Sequence, residues 1–267
     1  LGADIFSDSN GAKNTVDTGN STGIYDSDSD SYGLGFTDEA SGDTTHDPDT
    51  LTDASNFFDG DDGTYASSTS FSTEYLGKTF GSKYIGWVKV KATATITNGA
   101  DEICDVRIHT YNGSTWSEVA TLTSGTSSCS YNSYYFLDTT TQGIRISVRT
   151  SSNPNSPSPT CDKRWYTLEY GNFDSSSTVE TNTIIDEIIP KSIVVYGKTD
   201  IPTDTSITVD VSDDGGSTWS LTDQELNTYI DTSTFTTGNL ALKFNLATTD
   251  TSATPKLYGY GVAITDA

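Results

Sequence analysis

From Tyr84 to Ile96, apolar side chains fall on nearly every second position: Trp87, Val88, Val90, Ala92, Ala94 and Ile96, with Lys89 and Lys91 pointing the other way. A period of two belongs to a β-strand with one dry face and one wet face, and a helix cannot use it. The pattern recurs at Ile103–Tyr111, where Cys104, Val106 and Ile108 share a face, and Asn112-Gly113 then supplies the pair of positive-φ residues that a tight hairpin turn requires. Trp116–Leu122 reads as the return strand, Tyr134–Leu137 and Ile144–Val148 as two strands joined by a turn at Gly143, and Trp165–Tyr170 as a closing strand. Only 33% of residues are apolar, while Ser and Thr supply 80 of 267, so a core must be thin and assembled from half-buried segments. Stacked antiparallel sheets meet that condition and a helical bundle does not.

A second set follows. Ile207, Val209 and Val211 alternate into Asp213-Asp214-Gly215-Gly216-Ser217-Thr218-Trp219, a hairpin exit of the same style as Asn112-Gly113-Ser114-Thr115-Trp116. With Ile193–Tyr196, Tyr229–Phe235, Leu240–Leu246 and Leu257–Ile264 it predicts a smaller sandwich, with one brief helix allowed around Thr222–Tyr229. The fold class is therefore all-β: two antiparallel β-sandwiches preceded by an extended arm.

Charge divides the chain in the same way. Residues 1–75 hold 16 acids and one base, residues 76–175 hold 8 acids and 9 bases, and residues 176–267 hold 13 acids and 4 bases, for a total of −23. Domains are expected at 1–48 (acidic arm), 49–175 (main sandwich) and 176–267 (small sandwich). The overall balance repels phosphate backbones and anionic lipid, and no apolar run reaches the ~20 residues of a membrane span, which excludes nucleic acid and membrane insertion as expected partners. The chain starts at Leu1 and contains no Met, as expected where an initiator or leader has been removed. The arm, with Asp26, Asp28 and Asp30 alternating with Ser, has no periodicity that would bury it, so it is expected to take its order from elsewhere: its own chain, cations, or neighbouring subunits.

Asn56-Phe57-Phe58-Asp59-Gly60-Asp61-Asp62-Gly63-Thr64-Tyr65, then Tyr75-Leu76-Gly77-Lys78-Thr79-Phe80 and Tyr84-Ile85-Gly86-Trp87-Val88-Lys89-Val90, resemble the opening of discoidin-like (coagulation factor 5/8 C-terminal type) jelly-roll domains. Trp165-Tyr166-Thr167-Leu168-Glu169-Tyr170-Gly171 resembles their closing strand, so the likeness runs over about residues 45–173, with Tyr65 standing where the family usually has Trp. The resemblance implies a jelly roll, a capacity to bind carbohydrate or cell surfaces, and a structural calcium site at Asp59, Asp62, Thr64 and Glu169. A loop with three Asp and two Gly has the hard oxygen donors and the backbone freedom that Ca²⁺ demands. The last third of the chain also looks like the small sandwiches of tailed-phage tail and fibre proteins.

Of Cys104, Cys129 and Cys161, the favoured disulfide is Cys129 with Cys161, both read as lying in Ser/Pro-rich loops, with Cys104 a small core residue. A bridge and an acidic Ser/Thr surface suit an extracellular or virion setting. No nucleophile elbow, phosphate loop or His/Cys metal spacing is present, so the expected role is non-enzymatic. Tyr131, Tyr134 and Tyr135 form a candidate contact for a ligand or a subunit, since a tyrosine offers a flat apolar face with a polar rim. The sequence thus points first to a structural subunit of an extracellular or virion assembly, whose partners are copies of itself and other assembly subunits. The alternatives are a carbohydrate-binding adhesion module that recognises surface glycans, and a subunit of a cell-surface filament.

Overall fold

The computed structural model describes residues 4–5, 20–26, 29–97, 103–151, 159–185 and 188–265. These form two compact units, one made of residues 36–172 and the other of residues 1–35 together with 173–267. No helix among the described residues is long and apolar enough to cross a membrane.

The second unit begins with β1 (Asp4–Ile5), β2 (Ile24–Asp26) and β3 (Ser31–Gly33). The body, residues 36–172, contains β4 (Thr44–His46), β5 (Ala66–Ser68), β6 (Thr73–Thr97), β7 (Ile103–Tyr111), β8 (Trp116–Thr126), β9 (Ser128–Thr150) and β10 (Thr160–Gly171). Strands β11 (Ser176–Glu180), β12 (Ser192–Asp200), β13 (Thr205–Ser212), β14 (Leu221–Glu225), β15 (Tyr229–Asp231), β16 (Ala241–Thr248) and β17 (Lys256–Thr265) complete the second unit.

The body is built on one long antiparallel ribbon. β6 and β9 pair from Thr73↔Arg149 to Thr95↔Ser128, with register shifts between Thr79 and Lys83 and between Ile85 and Trp87. Bulges bend a ribbon and increase its twist, and the sheet order β5-β10-β6-β9-β7-β8 hangs different neighbours on its two ends. β10 takes the Trp87–Thr97 end of β6, and β7 takes the Ile144–Thr150 end of β9. Val88, Val90, Ala92, Trp165 and Leu168 from one end join Leu76, Val106, Ile108, Ile144, Ile146 and Val148 from the other in one core cluster. The predicted alternation is therefore the core face of β6.

One predicted turn is absent. Gly143 lies inside the continuous strand β9, opposite Thr79. A Cβ there would meet the Lys78 carbonyl oxygen at 2.8 Å and the Trp116 ring at 3.0 Å, so the glycine serves close approach of strands rather than chain reversal. The hairpin forms where expected, but over a four-residue connection, 112–115, in which Gly113 at φ +95° is the one positive-φ residue instead of the predicted pair. The helix allowed near Thr222 is replaced by β14 and a reversal at Asn227, whose φ is 62°.

In the second unit, one sheet runs β15-β12-β17-β3-β2, with β1 also on β17, and the other runs β11-β16-β13-β14. Ile193, Val195 and Leu257 are buried in the first sheet and Val209, Leu242 and Leu246 in the second, while the Phe244 and Tyr260 rings meet at 5.2 Å. The boundaries differ from those expected. The acidic arm is not a separate element: residues 20–35 complete the second unit, where Leu34 N–H donates to Thr254 Oγ1 and Gly35 N–H to Ser177 Oγ. Residues 36–48 belong to the body, where β4 pairs with β6. Within the Asp-Ser run, the Asp26 carboxylate accepts from Ser29 and the Asp30 carboxylate from the Tyr25 hydroxyl, while Asp28 lies outside the described residues. These segments are ordered by adding strands to sheets of their own chain.

Candidate functional site

While Ala92, Ala94 and Ile96 of β6 go to the core, Thr93, Thr95 and Thr97 between them face outward. Thr93 stands between Ser130 of β9 and Arg164 of β10, and Thr95 between Ser128 and Asp162. The outer face of these three strands is thus a lawn of hydroxyls with one charged pair. It floors a cleft of about 600 Å³ whose lining also includes Thr123, Ser124, Tyr166 and the edges of Ala94 and Cys129.

Three residues of β10 give the cleft direction. Arg164 grips Asp162 with two parallel bonds, Nη2 to Oδ2 at 2.6 Å and Nε to Oδ1 at 3.2 Å, and its Nη1 reaches the Tyr166 hydroxyl at 3.5 Å. The Asp162 carboxylate, and after it the Tyr166 hydroxyl, push the guanidinium above its ordinary pKa. Tyr166 shares the outer face with Asp162 and Arg164 by strand alternation, and a bulge lies at this point: register steps from Trp165↔Ala92 to Thr167↔Lys91, so the ladder gains a residue. Trp165 remains fully buried while Tyr166 turns to the outer face, against Tyr65 at 5.2 Å and beneath Lys91 Nζ at 4.8 Å. Arg164 lies 4.6 Å over the Tyr65 ring. Asp162 is the one carboxylate among the described residues lining the cleft. The two opposed acids of glycoside hydrolysis are not assembled there. What the arrangement can do is hold a polyhydroxylated molecule, with planar donors and acceptors from the Arg-Asp pair, adaptable hydroxyls below, and a tyrosine at the wall.

The proposed calcium ligands are not gathered at one point. Asp59 accepts from the Thr64 hydroxyl at 2.7 Å, closing the loop on itself. Asp62 accepts from the Thr167 hydroxyl and lies 3.9 Å from Lys91 Nζ, while Glu169 pairs with Lys89 at 2.9 Å. Lys89 and Glu169 are direct cross-strand partners, so an ammonium group neutralises the acid that calcium would have needed. The Asp62 carboxyl is held below its ordinary pKa, first by the Thr167 hydroxyl and then, against the effect of burial, by Lys89 and Lys91. No group of three or more His, Cys, Asp or Glu side chains suited to a metal occurs among the described residues.

Tyr131, Tyr134 and Tyr135 lie on β9 rather than in a loop, and they do not form one patch. Tyr131 and Tyr135 stand opposite Ala92 and Val88 and pack against the core, whereas Tyr134, opposite Lys89, is 40% exposed with its ring edge against Phe36. The predicted Cys129–Cys161 bridge is also absent, and all three cysteines are free and buried. Cys129 and Cys161 flank β6 on opposite sides, opposite Ala94 and Ile96. Two strand spacings, about 10 Å, exceed the reach of a disulfide.

The other end of the ribbon carries a second cluster. The Arg145 guanidinium is sandwiched between Tyr75 at 3.8 Å and Trp116 at 4.6 Å, with His46 against Trp116 at 4.7 Å. His109 shares a hydrogen bond with Ser147 at 2.9 Å, and burial, helped by the nearby Arg145 charge, lowers its pKa to about 4. That imidazole is neutral at ordinary pH and acts as a packed core group.

Asp162, Arg164 and Tyr166 were not singled out from sequence. The available signal was the charged and aromatic alternation in Asp162-Lys163-Arg164-Trp165-Tyr166, but which of its two faces is the outer one is settled only by the partner strands.

No protein-family profile and no curated protein matches this chain. Among solved structures, the chain is similar to the CBM32 of AlyQ in complex with 4,5-unsaturated mannuronic acid, at 19% identity and a TM-score of 0.33, covering 51% of this chain and 95% of that one. It is also similar to a pectin binding carbohydrate binding module, at 12% identity and a TM-score of 0.27, covering 44% of this chain and 78% of that one. A truncated AlyQ with CBM32 and alginate lyase domains aligns at 12% identity and a TM-score of 0.33 over 87% of this chain and 99% of that one. CBM32 modules are discoidin-like jelly rolls, the architecture that residues 45–173 resemble in sequence.

Proposed function

We propose that this protein is a glycan-binding module that holds a neutral stretch of polysaccharide in the cleft of Asp162, Arg164 and Tyr166. The observation that carries the reading is the cleft itself: about 600 Å³ of concave surface paved with Ser and Thr hydroxyls beside a bidentate Arg-Asp pair and a tyrosine wall. A sugar presents hydroxyl rims and weakly apolar ring faces, and this surface offers a counterpart to each. A neutral ligand is specified because Arg164 already spends its charge on Asp162. A single lining carboxylate supports retention of the ligand rather than its cleavage. Such a role belongs outside the cell, where polysaccharide is met.

The assembly-subunit reading loses its main support, since it relied on the acidic arm taking order from neighbours, and residues 20–35 take theirs from strands of the same chain. The test is calorimetric titration of a panel of soluble neutral polysaccharides into the protein and its variants. Tyr166→Ala and Arg164→Ala are each expected to weaken binding about tenfold, equivalent to about 1.4 kcal/mol. Tyr134→Ala, which lies off the cleft, should bind as the parent does. Absence of binding across the panel, or full affinity in both cleft variants, would overturn the reading.

A further inference from the structure

The glycan reading leaves three buried thiols unused. We propose that Cys104 and Cys129 are a disulfide-forming pair and that Cys161 remains a free thiol. The proposal does not depend on what the cleft binds.

Cys104, the second residue of β7, stands directly opposite Gly125 of β8, so both Cα–Cβ directions point to the same face of the sheet. A Cβ built on Gly125 would lie 3.9 Å from the Cβ of Cys129, which places the Cys129 side chain over that position. The same hypothetical Cβ would collide with the Ser128 carbonyl oxygen at 2.3 Å, so glycine is what lets the β8-to-β9 corner fold this tightly and bring Cys129 to Cys104. Both cysteines lie in the core cluster. Cys161 is placed otherwise. Its Sγ meets the Thr150 hydroxyl at 3.3 Å, and β6 separates it from Cys129.

Burial raises the pKa of all three thiols, so the pair rests as a dithiol until a disulfide donor reaches it. All three are buried, Cys129 being the most exposed at 7%. With oxidised glutathione as donor, the Cys104–Cys129 Sγ–Sγ bond forms and the S–S bond of glutathione breaks. Two electrons pass from the protein thiols to glutathione, and the two protons leave on two molecules of glutathione thiol. The product joins the start of β7 to the start of β9 and closes a loop from residue 104 to residue 129, restricting the unfolded chain.

The experiment incubates the folded full-length chain with oxidised glutathione, quenches it with acid, alkylates it in denaturant, and maps peptides without reduction. Free thiols are expected to fall from the three of the reduced chain to one, with Cys104 linked to Cys129 and the alkyl group on Cys161, and the melting temperature should rise. The Cys161→Ser protein should keep the same linked peptide and retain no free thiol. Three thiols surviving the treatment, Cys161 appearing in the bridge, or two free thiols persisting in Cys161→Ser would each overturn the assignment.

Discussion

The two units carry similar burdens of negative charge and dispose of them differently. The body, residues 36–172, has 17 acids and nine bases, and the second unit has 20 acids and five bases. In the body the acids buried between strands meet cations. Asp105, nearly buried, is bridged by Arg107 and Arg149, Lys83 joins Glu39 and Asp43, and Lys163, fully buried, meets Glu74 at 2.8 Å. In the second unit the acids mostly meet backbone N–H groups and hydroxyls. Asp213 accepts from the N–H groups of Thr236 and Thr237 and from Ser220, Asp214 from Thr218 and Ser212, and Asp250 from Ser252. A chain short of Lys and Arg can therefore still hold its acids, provided they fall where N–H groups converge in turns. The first device needs cations for its acids, and the second needs only N–H and hydroxyl donors.

The sharpest test of this contrast is Lys163→Ala, which leaves Glu74 buried without its cation. It should cost about 3–5 kcal/mol in urea denaturation, whereas the double variant Lys163→Met with Glu74→Leu should recover most of that loss. If the single variant is nearly neutral, the pair does not hold the body together.

A smaller effect is expected in the second unit. Asp213→Ala strands two backbone donors and should cost about 2 kcal/mol, with little dependence on salt, because no ion pair is lost. Burial pushes the Asp213 carboxyl up, but the Thr236 and Thr237 N–H groups and the Ser220 hydroxyl outweigh it and hold the pKa below its ordinary value. A depressed carboxyl pKa contributes stability that is present above the ordinary pKa of the acid and lost as pH falls through the folded value. The parent should therefore lose stability on acidification more steeply than Asp213→Ala. Equal acid slopes, or a strong salt dependence of the loss, would erase the distinction between the units.

The smallest expected effect is none. Because Lys89 and Lys91 neutralise Glu169 and Asp62, a chelator should leave the melting temperature unchanged, and a clear drop would restore a metal to that loop.

How much of this was legible in the sequence varies from element to element. β7 was read to its ends and the Gly113 turn to its residue, because alternation and a positive-φ glycine are local properties. The split of β9 at Gly143 failed for the opposite reason: a glycine demanded by the Trp116 ring and the Lys78 carbonyl of other strands looks, in one dimension, like a turn. The ion pairs around the calcium set were not legible, because the alternation that put Lys89 and Lys91 on the wet face did not reveal that they would stand opposite Glu169 and Thr167. The cysteine pairing failed by one strand, since the β6 that separates Cys129 from Cys161 is identified only by register.

The sequence by itself determined that this protein is all-β, that it has two sandwiches, and where most strands lie, because each of those properties follows from the period of two and from turn residues within a few positions of one another. Only the tertiary structure decided that the acidic arm is divided between the two units, that Tyr166 stands at the cleft beside Arg164 and Asp162, and that β6 separates Cys129 from Cys161. Each of these depends on which residues stand opposite one another across strands far apart in the chain, and strand register is settled by the packing of the whole sheet rather than by any segment of it.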